Sequence, residues 1–308
     1  MGKIRIAIVG LGKIARDQHV PALTASDAFE LVGVASPRNT LDGVPSFGDI
    51  DSLLRGVSDV DAVSLCTTPQ VRYDIARFAL ERGLHVLLEK PPGVTVSEVL
   101  ALAALADKKK VALFASWHSR HAPAVEPARA WLASRSIRAV TVNWKEDVRV
   151  WHPGQAWIWK AGGLGVFDPG INALSILTRI MPSALILKHA ELRYPRNCET
   201  PIAANLLLAD AHGAPARMEL DFLHAGPPQW DIDVDTDAGR LSLSKGGSEM
   251  SLDGKPAAGL DGAEYPDLYA QFANLVRRRS IDVDVSPLQL VADAFLCGQR
   301  QELEPFVE

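Results

Sequence analysis

Gly10-Leu11-Gly12-Lys13-Ile14-Ala15 directly follows an apolar run and opens a helical pattern. The glycines permit a tight turn and let backbone approach a pyrophosphate, the small Ala15 lets helix and strand pack, and the free N–H groups and dipole of the helix start hold the anion. This spacing predicts a dinucleotide site. About twenty residues on stands Ala35-Ser36-Pro37-Arg38, where an acidic residue would ordinarily hold the 2′-hydroxyl of an NAD ribose. None is present. The Ser36 hydroxyl and Arg38 guanidinium suit a 2′-phosphate instead, so NADP is the expected preferred cofactor with NAD also accepted; the other reading makes Arg38 a solvated loop residue. A further apolar run ends in Cys66-Thr67-Thr68-Pro69-Gln70, at the sheet edge where such ligands bind, and Cys66, Thr67 and Pro69 are expected to line the cofactor. Cys66 reads as a small buried residue rather than a nucleophile, since no evident neighbour activates it.

The elements that must position these groups alternate. Ile4 to Val9, Leu31 to Ala35, Val60 to Cys66, Leu84 to Leu88 and Val111 to Ala115 read as buried strands, and Lys13 to Ala25, Ile50 to Arg55, Val71 to Arg82 and Val96 to Lys109 as helices. Repeated βαβ order implies a parallel, doubly wound sheet of the Rossmann type over residues 1–118. From 119 to 308 the texture becomes α+β. A helix near Ala122 to Ala133, a strand Ile137 to Trp144 and a helix beginning near Asp168 precede period-two runs at Trp230 to Asp237 and Arg240 to Ser244, which predict a large, open, mostly antiparallel sheet. Two late helical patterns, Leu268 to Arg278 and Leu288 to Gln299, close the chain and are candidates to pack back on the first domain. The overall fold class is α/β.

At 308 residues, two domains are expected. A net charge of -5 without a basic cluster excludes nucleic acid as a primary partner. Three scattered cysteines argue against a disulfide framework, and no apolar window is long enough for a membrane span, so a cytoplasmic protein is expected. His118 and His121 stand three apart, a metal-binding spacing on a helix, but no third ligand accompanies them and no metal is expected. The exposed face of a large sheet often needs covering, which makes a homo-oligomer plausible.

Glu89-Lys90-Pro91 at the end of the fourth strand, Gly162-Gly163-Leu164-Gly165 and Asp168-Pro169-Gly170-Ile171-Asn172 resemble the motifs of the glucose–fructose oxidoreductase, inositol dehydrogenase and rhizopine-catabolism (Gfo/Idh/MocA) family along the whole chain. Within it, Asp17 to Pro21, Trp117 to Arg120 and Trp144 to Gln155 are most similar to the bacterial L-arabinose and D-galactose 1-dehydrogenases. The resemblance implies oxidation of a free aldose at C1 to an aldonolactone, with Glu89 and Lys90 beside the cofactor. Most members carry a histidine base where this chain has Asn172, which cannot be a base. Asp168 lies four residues earlier, on the same face if the segment is helical. The resemblance therefore assigns the base to Asp168, with Lys90 steadying the developing oxyanion and Asn172 holding the hydroxyl or orienting the carboxylate. From the residues alone, Asp168 could equally be a helix N-cap and Lys90 a partner of Glu89.

The stretch from Trp144 to Trp159 holds four of the seven tryptophans, interleaved with Glu146, Asp147, His152 and Gln155. Rings can cover the C–H faces of a sugar while carboxylates and imidazoles take its hydroxyls, so Glu146, His152, Trp151, His118 and Asn172 are the expected substrate contacts; alternatively the tryptophans simply fill the interior. Two other readings stay open: a non-catalytic dinucleotide-binding sugar sensor, and an inositol-type dehydrogenase on the same scaffold.

Overall fold

The computed structural model describes residues 2–307, whose contacts divide into two units: the chain up to His118 together with Glu264–Val285, and Ser119–Ala263 together with Ser286 onward. In order, the chain forms β1 (Ile4–Val9), α1 (Val20–Thr24), β2 (Phe29–Ala35), β3 (Ser46–Phe47), α2 (Ile50–Gly56), β4 (Ala62–Leu65), α3 (Pro69–Glu81), β5 (His85–Leu88), α4 (Val96–Lys109) and β6 (Leu113–Ala115). It continues through α5 (Val125–Leu132), β7 (Ile137–Lys145), α6 (Val148–Trp151), α7 (Phe167–Ile180), β8 (Leu185–Pro195), β9 (Ala203–Asp210), β10 (Pro215–Asp221) and β11 (Gln229–Thr236). Last come β12 (Gly239–Ser244), β13 (Glu249–Leu252), β14 (Lys255–Pro256), α8 (Glu264–Arg278), β15 (Ile281–Asp282), α9 (Ser286–Cys297) and β16 (Gln299–Leu303).

The first unit is a seven-stranded parallel sheet in the order β15-β6-β5-β4-β1-β2-β3. Both faces are covered, which is why its strands read as continuous apolar runs. Ile4, Ile6 and Ile8 pack with Phe29, Tyr269 and Phe272 on one side, while Ala7 and Val9 pack with Leu53, Leu80 and Leu102 on the other. The order reverses between β1 and β4, so the connections leaving their carboxyl ends turn to opposite faces of the sheet and leave a crevice for a ligand. Helix α4 follows the expected bounds because Thr95 and Glu98 form a reciprocal capping box at its start and Lys110 takes a left-handed conformation at its end.

The helix expected from Lys13 to Ala25 is not regular. Ala15–His19 forms a wide turn in which the Val20 N–H donates to the Ala15 carbonyl. This π-type turn sits just before Pro21, which has no N–H to continue a regular ladder, and it leaves His19 fully buried.

The second unit is a nine-stranded sheet ordered β14-β13-β12-β11-β7-β10-β9-β8-β16, antiparallel except at β7–β10 and β8–β16. Along β7, Val140, Val142 and Trp144 are buried while Thr141 and Asn143 face away, the alternation a sheet covered on one side requires. Helices α5, α7 and α9 pack together, α7 lies on β7 and β11, and α9 lies on β8. A shallow groove of about 440 Å³ bordered by Thr141, Asn143, Asn205, Arg217 and Glu219 runs over the sheet. No helix among the described residues is long and apolar enough to cross a membrane.

Candidate active site

At the end of β1, Gly10 has φ +93°, and a Cβ there would lie 2.7 Å from the Thr67 nitrogen and 2.8 Å from the Cys66 carbonyl carbon. Only glycine lets the ends of β1 and β4 come this close. A Cβ on Gly12 would meet nothing within 4 Å, so that face of the loop is open to a ligand. The Asn39 side chain donates to the Leu11 carbonyl at 2.8 Å and fixes the turn, and Ala15 is fully buried against the sheet. Lys13 is exposed and paired with Asp17, and Ile14 is partly exposed beside it. Ser36 is half-buried, its N–H donating to the Phe47 carbonyl at 2.8 Å, while Arg38 is exposed.

Cys66 is half-buried with its Sγ 3.7 Å from the Ser64 hydroxyl, and Pro69 is buried at the start of α3. Thr67 carries a buried hydroxyl with no hydrogen-bond partner, a polar atom that a bound ligand can satisfy. With the open face of Gly12 it fits a dinucleotide, held by the backbone after β1 and by the β4 edge. Arg72 is a residue that sequence reasoning missed. Its buried guanidinium donates to the carbonyls of Thr67, Glu89 and Pro91, tying the loops after β4 and β5 together. No local pattern distinguishes it from a helix-surface arginine.

Glu89 is buried at the end of β5. Its Oε1 accepts from the Tyr265 hydroxyl at 2.8 Å and lies 3.2 Å from His19 Nε2, and its Oε2 accepts the Lys90 backbone N–H at 2.6 Å. Burial alone pushes the Glu89 carboxyl up, but the hydrogen bond and charge of His19, with His118 and Lys90 nearby, outweigh it and bring it down to about 2. For His19, burial works to lower the imidazole, yet Cys66, Tyr269 and the bond to Glu89 hold it well above its ordinary value. Lys90 itself is half-buried. His118, expected to touch substrate, is engaged here with Glu264 at 2.6 Å and stacks on Tyr265 with ring centroids 5.4 Å apart.

In the second unit, α7 positions the expected base. Val166 is its N-cap, so Asp168 lies inside the first turn and the N-cap reading of that residue is corrected. Asp168 is 3% exposed, and Asn172 follows one turn later, half-buried. The glycine-rich approach to α7 is forced by crowding: Gly165 has φ +55°, and a Cβ on it would lie 2.2 Å from the Pro201 carbonyl oxygen.

Glu146, just past β7, is 3% exposed and has a donor at each oxygen: His152 Nε2 at 2.8 Å from Oε1, and Trp230 Nε1 at 2.8 Å from Oε2. The other imidazole nitrogen of His152 lies 3.6 Å from Asp168 Oδ2. The imidazole therefore faces a carboxylate from each nitrogen, in a row Trp230, Glu146, His152, Asp168. Trp230 was not expected in the site; it pairs with Glu146 from β11, far along the chain. Trp151 is 42% exposed and meets the Trp230 ring edge-on at 4.9 Å, whereas Trp144 is buried on the helix-covered side of β7. Trp144 and Trp151 thus divide between interior and surface, while Trp157 and Trp159 are half-buried. Chemically, the row offers a buried carboxylate as proton acceptor, an amide one turn away and an anchored imidazole. No group of three or more histidines, cysteines or carboxylates among the described residues is arranged to hold a metal.

Comparison with known proteins adds four likenesses. Residues 4–116 match the model described as "Oxidoreductase family, NAD-binding Rossmann fold". The chain is 46% identical to galactose 1-dehydrogenase of Pseudomonas fluorescens over the full length of both. It superposes on the crystal structure of a D-galactose-1-dehydrogenase protein from Rhizobium etli with TM-score 0.95 and 52% identity, covering 100% of this chain and 99% of that one. A 3-ketoreductase from Actinomadura kijaniata shares the fold alone, with TM-score 0.84 at 20% identity over 98% and 99% of the two chains.

Proposed function

Because the chain belongs to the Gfo/Idh/MocA family of oxidoreductases, we propose that it is an NAD(P)-dependent aldose 1-dehydrogenase oxidising the C1 hydroxyl of D-galactose and L-arabinose to the aldonolactone. The observation that carries the reading is the row of Trp230, Glu146, His152 and Asp168, ending on a buried carboxylate. Full-length likeness to galactose 1-dehydrogenase supports the sugar class.

Asp168 takes the O1 proton while the C1–H bond breaks and the C1=O1 double bond forms. A bound nicotinamide supplies the acceptor for the hydrogen leaving C1 with its electron pair. Lys90 contributes an ammonium that steadies the charge growing on O1, and Asn172 donates to a sugar oxygen or to the Asp168 carboxylate. His152, held by Glu146, takes a ring hydroxyl, and the exposed Trp151 face covers C–H surface. D-Galactose and L-arabinose share the configuration of every ring hydroxyl and differ only in the exocyclic substituent, so a site reading those hydroxyls turns over both. Ser36 and Arg38 favour the 2′-phosphate of NADP, with NAD also used.

The test is reduction of NADP and of NAD by the purified protein with a panel of aldoses and inositols. Turnover with D-galactose and L-arabinose but not inositols is expected. Silence across the panel with retained dinucleotide binding would replace the enzyme with a sugar sensor, and turnover of inositols would replace C1 with a ring carbinol.

A further inference from the structure

Lys90 is the cation of the proposed reaction, and its backbone is held by one of the most deeply buried polar clusters in the first unit. His19 and Glu89 side chains are 0% and 3% exposed. Around them, the His19 Nδ1 lies 2.7 Å from the Tyr269 hydroxyl and 3.2 Å from Ser64 Oγ, and Tyr269 donates to Ser64 at 3.1 Å. Tyr265 donates to the Glu89 oxygen that faces His19, and the other Glu89 oxygen accepts the Lys90 N–H. A protonated imidazole completes one consistent set: Nε2–H donates to Glu89, Nδ1–H to Tyr269, and the Tyr269 O–H to Ser64. Cys66 lies beyond Ser64, and the His118 ring stacks on Tyr265.

A buried ion pair is a weak way to stabilise a fold, because desolvating two charges costs about as much as their attraction returns. What this cluster does is geometric. It recruits three separated stretches, the wide turn that buries His19, the β4 end and the first two turns of α8, onto one carboxylate whose remaining oxygen grips the backbone of Lys90. We propose that His19, Glu89, Tyr265, Tyr269 and Ser64 form a positioning network that fixes the Lys90 backbone and so aims its ammonium at the oxygen being oxidised. The proposal rests on the reading of Lys90 above. Glu89, expected from the resemblance to stand beside the cofactor, has both oxygens engaged by His19, Tyr265 and the Lys90 N–H, and the five act through Lys90. Misplacing a catalytic group by about 1 Å costs on the order of a hundredfold in rate, so a network of this kind is felt in turnover before it is felt in binding.

The experiment is a double-mutant cycle on the full chain with D-galactose and NADP. Tyr265→Phe removes one hydroxyl and little volume, so it remains informative even if Glu89→Gln or His19→Gln fails to fold. The expected result for Tyr265→Phe is a fall in kcat of about tenfold or more, with the KM for sugar and the dinucleotide Kd within about twofold. Combined with Lys90→Ala, it should add almost nothing to the loss caused by Lys90→Ala alone, since both act through one ammonium. A Tyr265→Phe loss that multiplies fully with Lys90→Ala, or an unchanged kcat in Tyr265→Phe while Lys90→Ala is crippled, overturns the network and leaves the role of Lys90 standing. Full turnover by Lys90→Ala overturns the reading of Lys90, and the network with it.

Discussion

Each unit holds a histidine facing a buried glutamate, and the two pairs differ in what surrounds them. His19 and Glu89 are sealed, at 0% and 3% side-chain exposure, with two tyrosines and a serine completing their hydrogen bonds. His152 and Glu146 are 16% and 4% exposed, and the imidazole edge not used by Glu146 faces the Asp168 carboxylate. The same residue types therefore serve opposite ends. The His19 pair, closed off by its neighbours, holds backbone, whereas the His152 pair is the more exposed of the two and turns its second nitrogen toward the proposed base.

The sharpest way to break the contrast is to remove the central carboxylate of each region. Asp168→Ala should lower kcat by on the order of 100- to 10,000-fold with the thermal midpoint almost unmoved, as steady-state rates and a melting curve would show; preserved turnover contradicts the base assignment. Glu89→Ala should do the reverse in emphasis, costing about 3–5 kcal/mol of folding stability by leaving a buried charge without its partner, measured by denaturant unfolding. A loss below about 1 kcal/mol would mean that the sealed pair is not ionised as described.

Milder changes refine the comparison. Glu146→Gln keeps the shape but loses the charge that anchors His152, and the KM for galactose should rise about tenfold, equivalent to about 1.4 kcal/mol, without change in dinucleotide Kd. An effect on dinucleotide binding alone would remove the row from substrate recognition. Arg38→Ala should raise the KM for NADP by about tenfold and that for NAD little, the signature of a lost bidentate phosphate contact; equal changes would make Arg38 a bystander.

The smallest effect is one of pH. Glu89 is depressed to about 2 from 4.5, so its contribution to stability is present above the ordinary carboxylate value and fades as pH falls toward 2. His19 is raised above 6.5, so its contribution is complete below that value and is lost as pH rises through the elevated one. The difference in thermal midpoint between wild type and Glu89→Gln should accordingly be largest between pH 4.5 and 6.5 and shrink on either side. A difference flat across pH would contradict the charged pair.

How much of this is legible in sequence depends on the distance over which a residue finds its partner. Val96–Lys109 keeps its expected bounds, and Gly10 and Ala15 sit where the glycine spacing puts them, because turn and cap chemistry is local. Pro21, well inside the expected Lys13–Ala25 helix, signals a break in the ladder but not its form, so the wide turn at Ala15–His19 is not visible. Glu146, His152 and Asp168 each stand out in the sequence as separate candidates, but their alignment in one row depends on how β7, the loop after it and α7 pack. Tyr265 reaches Glu89 across 176 positions and Tyr269 reaches His19 across 250, so nothing in their neighbourhoods on α8 marks them as more than apolar-face residues. Trp230 is hidden for the same reason, standing in an alternating strand whose pattern explains it without a site.

Oxidation at C1 with Asp168 as the proton acceptor can be followed with D-galactose deuterated at C1. The label is expected in the reduced nicotinamide and the product to be an unlabelled lactone, with Asp168→Asn abolishing the transfer while still binding both ligands. Label retained in an oxidised product would place the chemistry at another carbon and contradict it.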